Sequence, residues 1–227
     1  MLQIVPLRII HQACFALCAT LLFFVVCEPA ISRSATTATS QFTISQTISS
    51  ELSFTVPPSN VTMSPTLGGL SGGTANGSTL FVITSGNTLG YTVTLMASSS
   101  LGMIGNASSS QYIPAYVPST PGVPDFSFAT PARAYFGYTT EASTTSDLAQ
   151  AFKDNGSTCN TGSGDTVDSC WLNATTTAYT IITRSGPTAS TGATTTLKFR
   201  VVITPNPNPV IPDDTYVATT TLTATTN

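Results

Sequence analysis

From residue 42 to residue 56 the chain alternates almost without error. Phe42, Ile44, Ile48, Leu52, Phe54 and Val56 hold even positions, interrupted only by Gln46 and Ser50, and every odd position is Thr, Ser or Glu51. Successive side chains of a strand point to opposite faces, so this segment is apolar on one side and hydroxyl-lined on the other. A helix would scatter the same residues around its circumference. The pattern predicts a strand over 42–56 in an antiparallel sheet with one face in water.

The residues before this segment have a different character. Arg8 and His11 precede an apolar run over 13–27, ACFALCATLLFFVVC, and Ala30, Ser32, Ser34 and Ala35 follow it. A run of this length falls short of the roughly 20 residues needed to cross a bilayer as a helix. A charged start, an apolar middle and small residues at the end make a secretory signal peptide over 1–34, with cleavage after Ser32 or near Ala35. The rival reading is an uncleaved membrane anchor. Cys18 follows Leu17 and Cys27 follows Val26, whereas a lipidated cysteine follows a small residue. The expected organisation is a signal peptide (1–34), a flexible leader (35–41) and one β-sandwich domain (42–227).

Removing the signal peptide takes Cys14, Cys18, Cys27 and the only histidine, His11. Two cysteines remain, Cys159 and Cys170, and an even pair in an exported chain reads as a disulfide. Without Arg8, Arg33 and Glu28 the seven basic and ten acidic residues fall to five and nine, a net charge of −4. The five remaining basic residues, Arg133, Lys153, Arg184, Lys198 and Arg200, are too scattered among acids to form a nucleic-acid patch. About a third of the residues after 34 are Ser or Thr, which suits a pleated surface solvated by neutral groups.

Further strands are expected at 60–63, 79–84, 91–96, 126–128, 135–139, 179–181, 197–203 and 215–224. The pair 79–84 and 91–96 reads as a hairpin around Ser85-Gly86-Asn87. The Ser/Gly-rich 97–111 and the proline-rich 112–124 read as loops. One short helix is expected over 146–155, capped by Thr145 or Ser146 and stopped by Asn155-Gly156. Eight or nine strands between Gly/Pro turns predict an all-β, antiparallel, loosely Ig-like β-sandwich; the immunoglobulin Cys…Trp…Cys spacing is absent.

Two blocks of sequence, MSPTLGGLSGGTANGSTLFVITSGNTLGYTVTLMASSS (63–100) and FGYTTEASTTSDLAQAFKDNGSTCNTGSGDTVDSCW (136–171), together with the ending DTYVATTTLTATTN, resemble uncharacterised secreted surface proteins of bacteria. The ending resembles the last strand of spore-coat and pilus-type β-sandwich domains. The resemblance implies export and a structural role, and it supplies no catalytic residues.

Nucleophilic triads need an imidazole base, and the exported part has no histidine. Lys198 sits on the polar face of its strand, where a solvated amine is expected. Asp213-Asp214 follows Pro212 in a turn. The oxygen-rich stretch with Asp154, Asp165 and Asp168 lacks the alternating acids and closing glutamate of an EF-hand, so a turn-rich loop is expected there and no metal or other cofactor. Asn60, Asn76, Asn106, Asn155 and Asn173 head N-glycosylation patterns. Trp171, beside Cys170, reads as core packing; its rival role is a sugar-stacking platform, with Tyr112 and Tyr116 as companions. These readings give a non-catalytic structural or adhesive surface protein whose partners are surface polysaccharide or other surface proteins. The alternatives are a carbohydrate-binding module and a fibre subunit that donates residues 42–56 to a neighbour.

Overall fold

A computed structural model describes residues 37–129 and 133–227. The signal peptide expected over 1–34 lies outside the described residues. The chain divides into two compact units, Met1–Gln46 and Thr47–Asn227. In the first, the described residues 37–46 are exposed and have no regular secondary structure.

Among the described residues the second unit contains ten strands: β1 (Leu52–Val56), β2 (Gly73–Ser85), β3 (Tyr91–Ala97), β4 (Gly102–Gly105), β5 (Tyr112–Pro114), β6 (Ala134–Ala142), β7 (Tyr179–Arg184), β8 (Ala193–Ile203), β9 (Tyr216–Val217) and β10 (Thr220–Thr226). They form a four-stranded sheet in the order β1-β2-β8-β6, a three-stranded sheet β10-β3-β7 and a smaller one β5-β4-β9, with every pairing antiparallel. The two larger sheets share one core. Phe81, Ile83, Leu197, Phe199 and Val201 face it from one side, and Val93, Leu95, Ile181 and Ile182 from the other. The described residues are all-β and antiparallel, as their alternating segments predict.

Several expectations are overturned. The strand over 42–56 reduces to Leu52–Val56. Leu52 pairs with Ser85, the last residue of β2, and the Gly86 N–H donates to the Glu51 carbonyl where the chain turns away towards β3. Phe42, Ile44 and Ile48 are 84%, 85% and 89% exposed.

The hairpin of 79–84 with 91–96 does not form. β2 is already paired on both edges, by β1 and β8, and β3 lies between β10 and β7. The turn at Asn87 therefore carries the chain from one sheet to the other. Asn87 shapes it by donating from its side-chain amide to the Gly90 carbonyl at 2.8 Å, and Gly90 takes a φ of +83° close against Arg184.

The helix expected over 146–155 is instead two single 3₁₀ turns, Thr145–Asp147 and Gln150–Phe152, without a side-chain cap. Between them Leu148 and Ala149 are extended. Leu148 bridges to Ile182 and the Ala149 N–H donates to the Ile181 carbonyl. The open edge of β7 thus captures the backbone that a helix would have used internally.

Finally, 60–63 and 126–128 are not strands; each neighbourhood makes only an isolated bridge, Ser64 to Asn76 and Asp125 to Trp171. The supposed loops 97–111 and 112–124 supply β4 and β5. The single alternating run at 215–224 is split, β9 pairing with β4 and β10 with β3.

Candidate functional site

The densest group of polar and aromatic side chains lies where the 116–128 and 154–171 segments cover the outer face of β6 and β8. Its organising bond is the disulfide Cys159–Cys170, with the Cα atoms 5.6 Å apart. Both cysteines are buried.

Just ahead of the loop that the disulfide closes, Asp154 is the anchor that holds Gly164 and Thr166 of that loop. Its carboxylate accepts from the Gly156 N–H at 2.7 Å, the Thr166 hydroxyl at 2.7 Å and the Thr166 N–H at 2.8 Å. Its backbone exchanges hydrogen bonds with Gly164 at 3.0 and 2.8 Å. Burial alone would raise this carboxyl, but the donors from Thr166 and Gly156 outweigh it and hold the group below the ordinary aspartate range. The oxygen-rich stretch is therefore a knot in which N–H and O–H groups occupy the Asp154 oxygens. Asn155 adds an Asx turn, accepting from Ser157 and Thr158. Among the described residues no three His, Cys, Asp or Glu side chains converge as metal ligands would.

Asp165 lies nearby and behaves oppositely. Burial pushes it up to about 6, and the charges of Glu141 and Asp154 add to that rise, while the Ala142 N–H and Lys198 oppose it. Lys198 is not the freely solvated amine expected from sequence. It stands on the outer face of β8, with Nζ 2.7 Å from Glu141 and 3.0 Å from Asp168. Burial would lower it, but hydrogen bonds to these two carboxylates outweigh burial and raise it. An amine held protonated in this way is a poor nucleophile or base.

Of the three aromatic candidates, two come together. Trp171 and Tyr116 join Tyr135 and Phe128 in a second apolar cluster. The Trp171 ring meets Phe128 edge-on at 5.3 Å, and Tyr116 packs on Phe128 at 4.5 Å. The Arg200 guanidinium caps Trp171 at 4.3 Å and donates to Asn76 at 2.8 Å. The Trp171 ring N–H donates to the Asp168 carbonyl, and the Tyr116 hydroxyl to Asp125 at 2.6 Å. Each ring is only 1% exposed, so neither offers a face for sugar stacking. Core packing is their role, because the loops need an apolar underside to sit on β6. Gly137 of β6 makes the close approach possible: a Cβ there would stand about 2.9–3.1 Å from Phe128, Tyr116 and the Leu172 carbonyl. Tyr112 lies apart on β5, 40% exposed.

An open cleft of about 250 Å³ runs beside β4 and the β9–β10 break. Ser98, Gly102, Ile104, Asn106 and Thr219 are among its lining residues, and no lining group titrates. Asp214 of the Asp213-Asp214 pair stands close by, accepting from the Ala107 N–H at 2.9 Å and the Thr215 N–H at 2.7 Å. It is a loop clamp. Sequence reasoning missed the Asp154 knot, the Asp165 shift and the Arg200 cap. The Asp154-Asn155-Gly156 turn signal was the one available clue.

No family model, no curated protein and no solved structure matches the chain.

Proposed function

We propose that the chain is an exported, non-catalytic, Ig-like sandwich module with a structural or adhesive role at the cell surface, and that residues 1–34 serve as its signal peptide. The observation that carries this reading is the buried Cys159–Cys170 disulfide, which clasps the loop layer and persists in an oxidising compartment. The polar groups agree with it: Asp154, Asp214, Lys198 and Asp125 each hold a loop or a neighbouring side chain. The partners on this reading are surface polysaccharide or other surface proteins, met through the loop ends. Cell fractionation, N-terminal sequencing and thiol counting of the recovered protein test it. A chain found in the cytosol, uncleaved and with both thiols free, would overturn it.

A second reading has an observation of its own. Phe42, Ile44 and Ile48 stand exposed on alternate positions of a segment that forms no strand of its own, and such apolar alternation is what a chain needs to add a strand to the edge of a neighbour's sheet. A fibre subunit would use this segment in that way. Size-exclusion chromatography of the full chain and of one beginning at Ser50, which keeps β1, tests the idea. Higher oligomers lost on truncation support it; identical monomers from both chains rule it out.

A further inference from the structure

The outer face of the β10-β3-β7 sheet repeats one kind of side chain. The register sets Thr223 opposite Thr94 and Thr94 opposite Thr180. It also sets Thr225 opposite Thr92 and Thr92 opposite Thr183. Two rows of three threonines therefore cross three strands. Intervening residues such as Val93, Leu95, Leu222 and Ala224 turn to the core. The next row places Thr221, which is exposed, beside Met96. Thr92 also donates to the Asn227 side chain at 2.7 Å.

Strand spacing puts the rows' members about 4.8 Å apart across the sheet, and on β10 and β3 the two-residue repeat puts the rows about 6.7 Å apart along it; on β7 a bulge between the rows leaves Thr180 and Thr183 three residues apart, so the regular grid is the one on β10 and β3. Branching at Cβ limits each threonine to few rotamers, so hydroxyls and methyls keep a regular arrangement. Simple solvation needs no such order. The outer face of the other large sheet has none, setting Asn76 beside Arg200, Ser78 beside Lys198 and Leu80 beside Thr196.

We propose that this threonine face binds ice. The rows contain no charged side chain, in a chain of net charge −3, and so match an uncharged solid. Charged heads would keep hydration shells that do not fit a lattice. Regularly spaced hydroxyls hydrogen-bond to lattice water, and the methyls between them favour caged, ordered water over bulk water. A crystalline polysaccharide would instead call for flat aromatic rings to stack on, and these rows have none. A width of three strands also limits the accumulated sheet twist. The inference does not depend on the surface-module reading above.

The test is partition of the labelled full-length chain into slowly growing polycrystalline ice, together with inhibition of ice recrystallisation. Thr223→Lys puts a charge on the exposed row, Thr94→Val keeps the shape without the hydroxyl, and Thr196→Lys places the same charge on the opposite sheet. Circular dichroism and thermal melting check that each variant is folded. The expected result is enrichment of the parent chain and of Thr196→Lys in ice, with Thr223→Lys excluded like a non-binding protein. Exclusion of the parent chain would overturn the proposal. So would equal loss by both lysine variants, co-sedimentation with insoluble polysaccharide alone, or a dimer that Thr223→Lys abolishes, which would assign the face to a second copy.

Discussion

Tyr138 is fully buried between Phe152 and the β6–β8 core, and among the described residues its hydroxyl has no hydrogen-bond partner; the buried Thr140 hydroxyl shares that condition. An unpaired buried hydroxyl costs about 1–3 kcal/mol relative to water. Tyr138→Phe removes only that oxygen, so it should raise stability by about 1 kcal/mol in urea denaturation; a loss of similar size would mean the hydroxyl is satisfied. At Asp165 the carboxyl is pushed up to about 6, chiefly by burial, above its unfolded value of about 3.9. Between those two pH values the folded state holds a proton that the unfolded chain releases. Its contribution to stability is therefore greatest below the unfolded value and falls as pH rises toward 6. Asp165→Asn keeps an acceptor for the Ala142 N–H and should flatten this slope. At pH 7 it should gain up to about 1 kcal/mol once solvent screening is allowed for, and melting curves from pH 4 to 7 measure both effects. Gly137→Ala should cost about 1–3 kcal/mol, because its Cβ enters the Phe128 and Tyr116 contact. Gly186→Ala, where a Cβ meets nothing within 4 Å, should be neutral or slightly stabilising. Equal costs at the two glycines would contradict the packing described for the loop layer.

Among the elements, those whose character depends only on side-chain parity follow the sequence closely. β8 alternates Leu197, Phe199 and Val201 inward with Lys198 and Arg200 outward, and β3 does the same with Val93 and Leu95. Elements whose fate depends on a partner do not. The 42–48 stretch has strand parity but forms no strand, and 146–155 has helical spacing but an open β7 edge beside it. The 79–96 pair has two good strands and a good turn, yet β2 has no free edge. Local propensity is weak enough for such tertiary contacts to override it. The β1 strand tests this scale: Phe54 meets Phe81 edge-on at 5.9 Å. Phe54→Ala should destabilise the protein by about 2–3 kcal/mol, at the low end for a partly buried ring, whereas Phe42→Ala should leave the denaturation midpoint unchanged.

At the scale of the whole molecule, the Cys159–Cys170 bond closes a loop of sequence separation 11, which in the chain-entropy account is a gain of about 2–3 kcal/mol. Reduction should lower stability by that amount in a comparison of oxidised and reduced melts. It should also loosen the loop layer over β6 before the two-sheet core, and hydrogen exchange would resolve that order: residues 154–170 exchanging first, β2 and β8 last. Simultaneous exchange of both would show the layer and the core to be one cooperative unit.

The sequence by itself determined the all-β character, the strand faces, the pairing of the two cysteines after residue 34 and the core role of Trp171. Each follows from parity, composition or the elimination of alternatives, which are properties of neighbouring residues or of counts. The tertiary structure decided which strand edges are occupied, and hence that β2 and β3 belong to different sheets, that no α-helix forms at 146–155 and that the threonines of three distant segments line up. Those outcomes depend on hydrogen-bond partners far away in the chain, and nothing in a local pattern records whether a partner's edge is already taken.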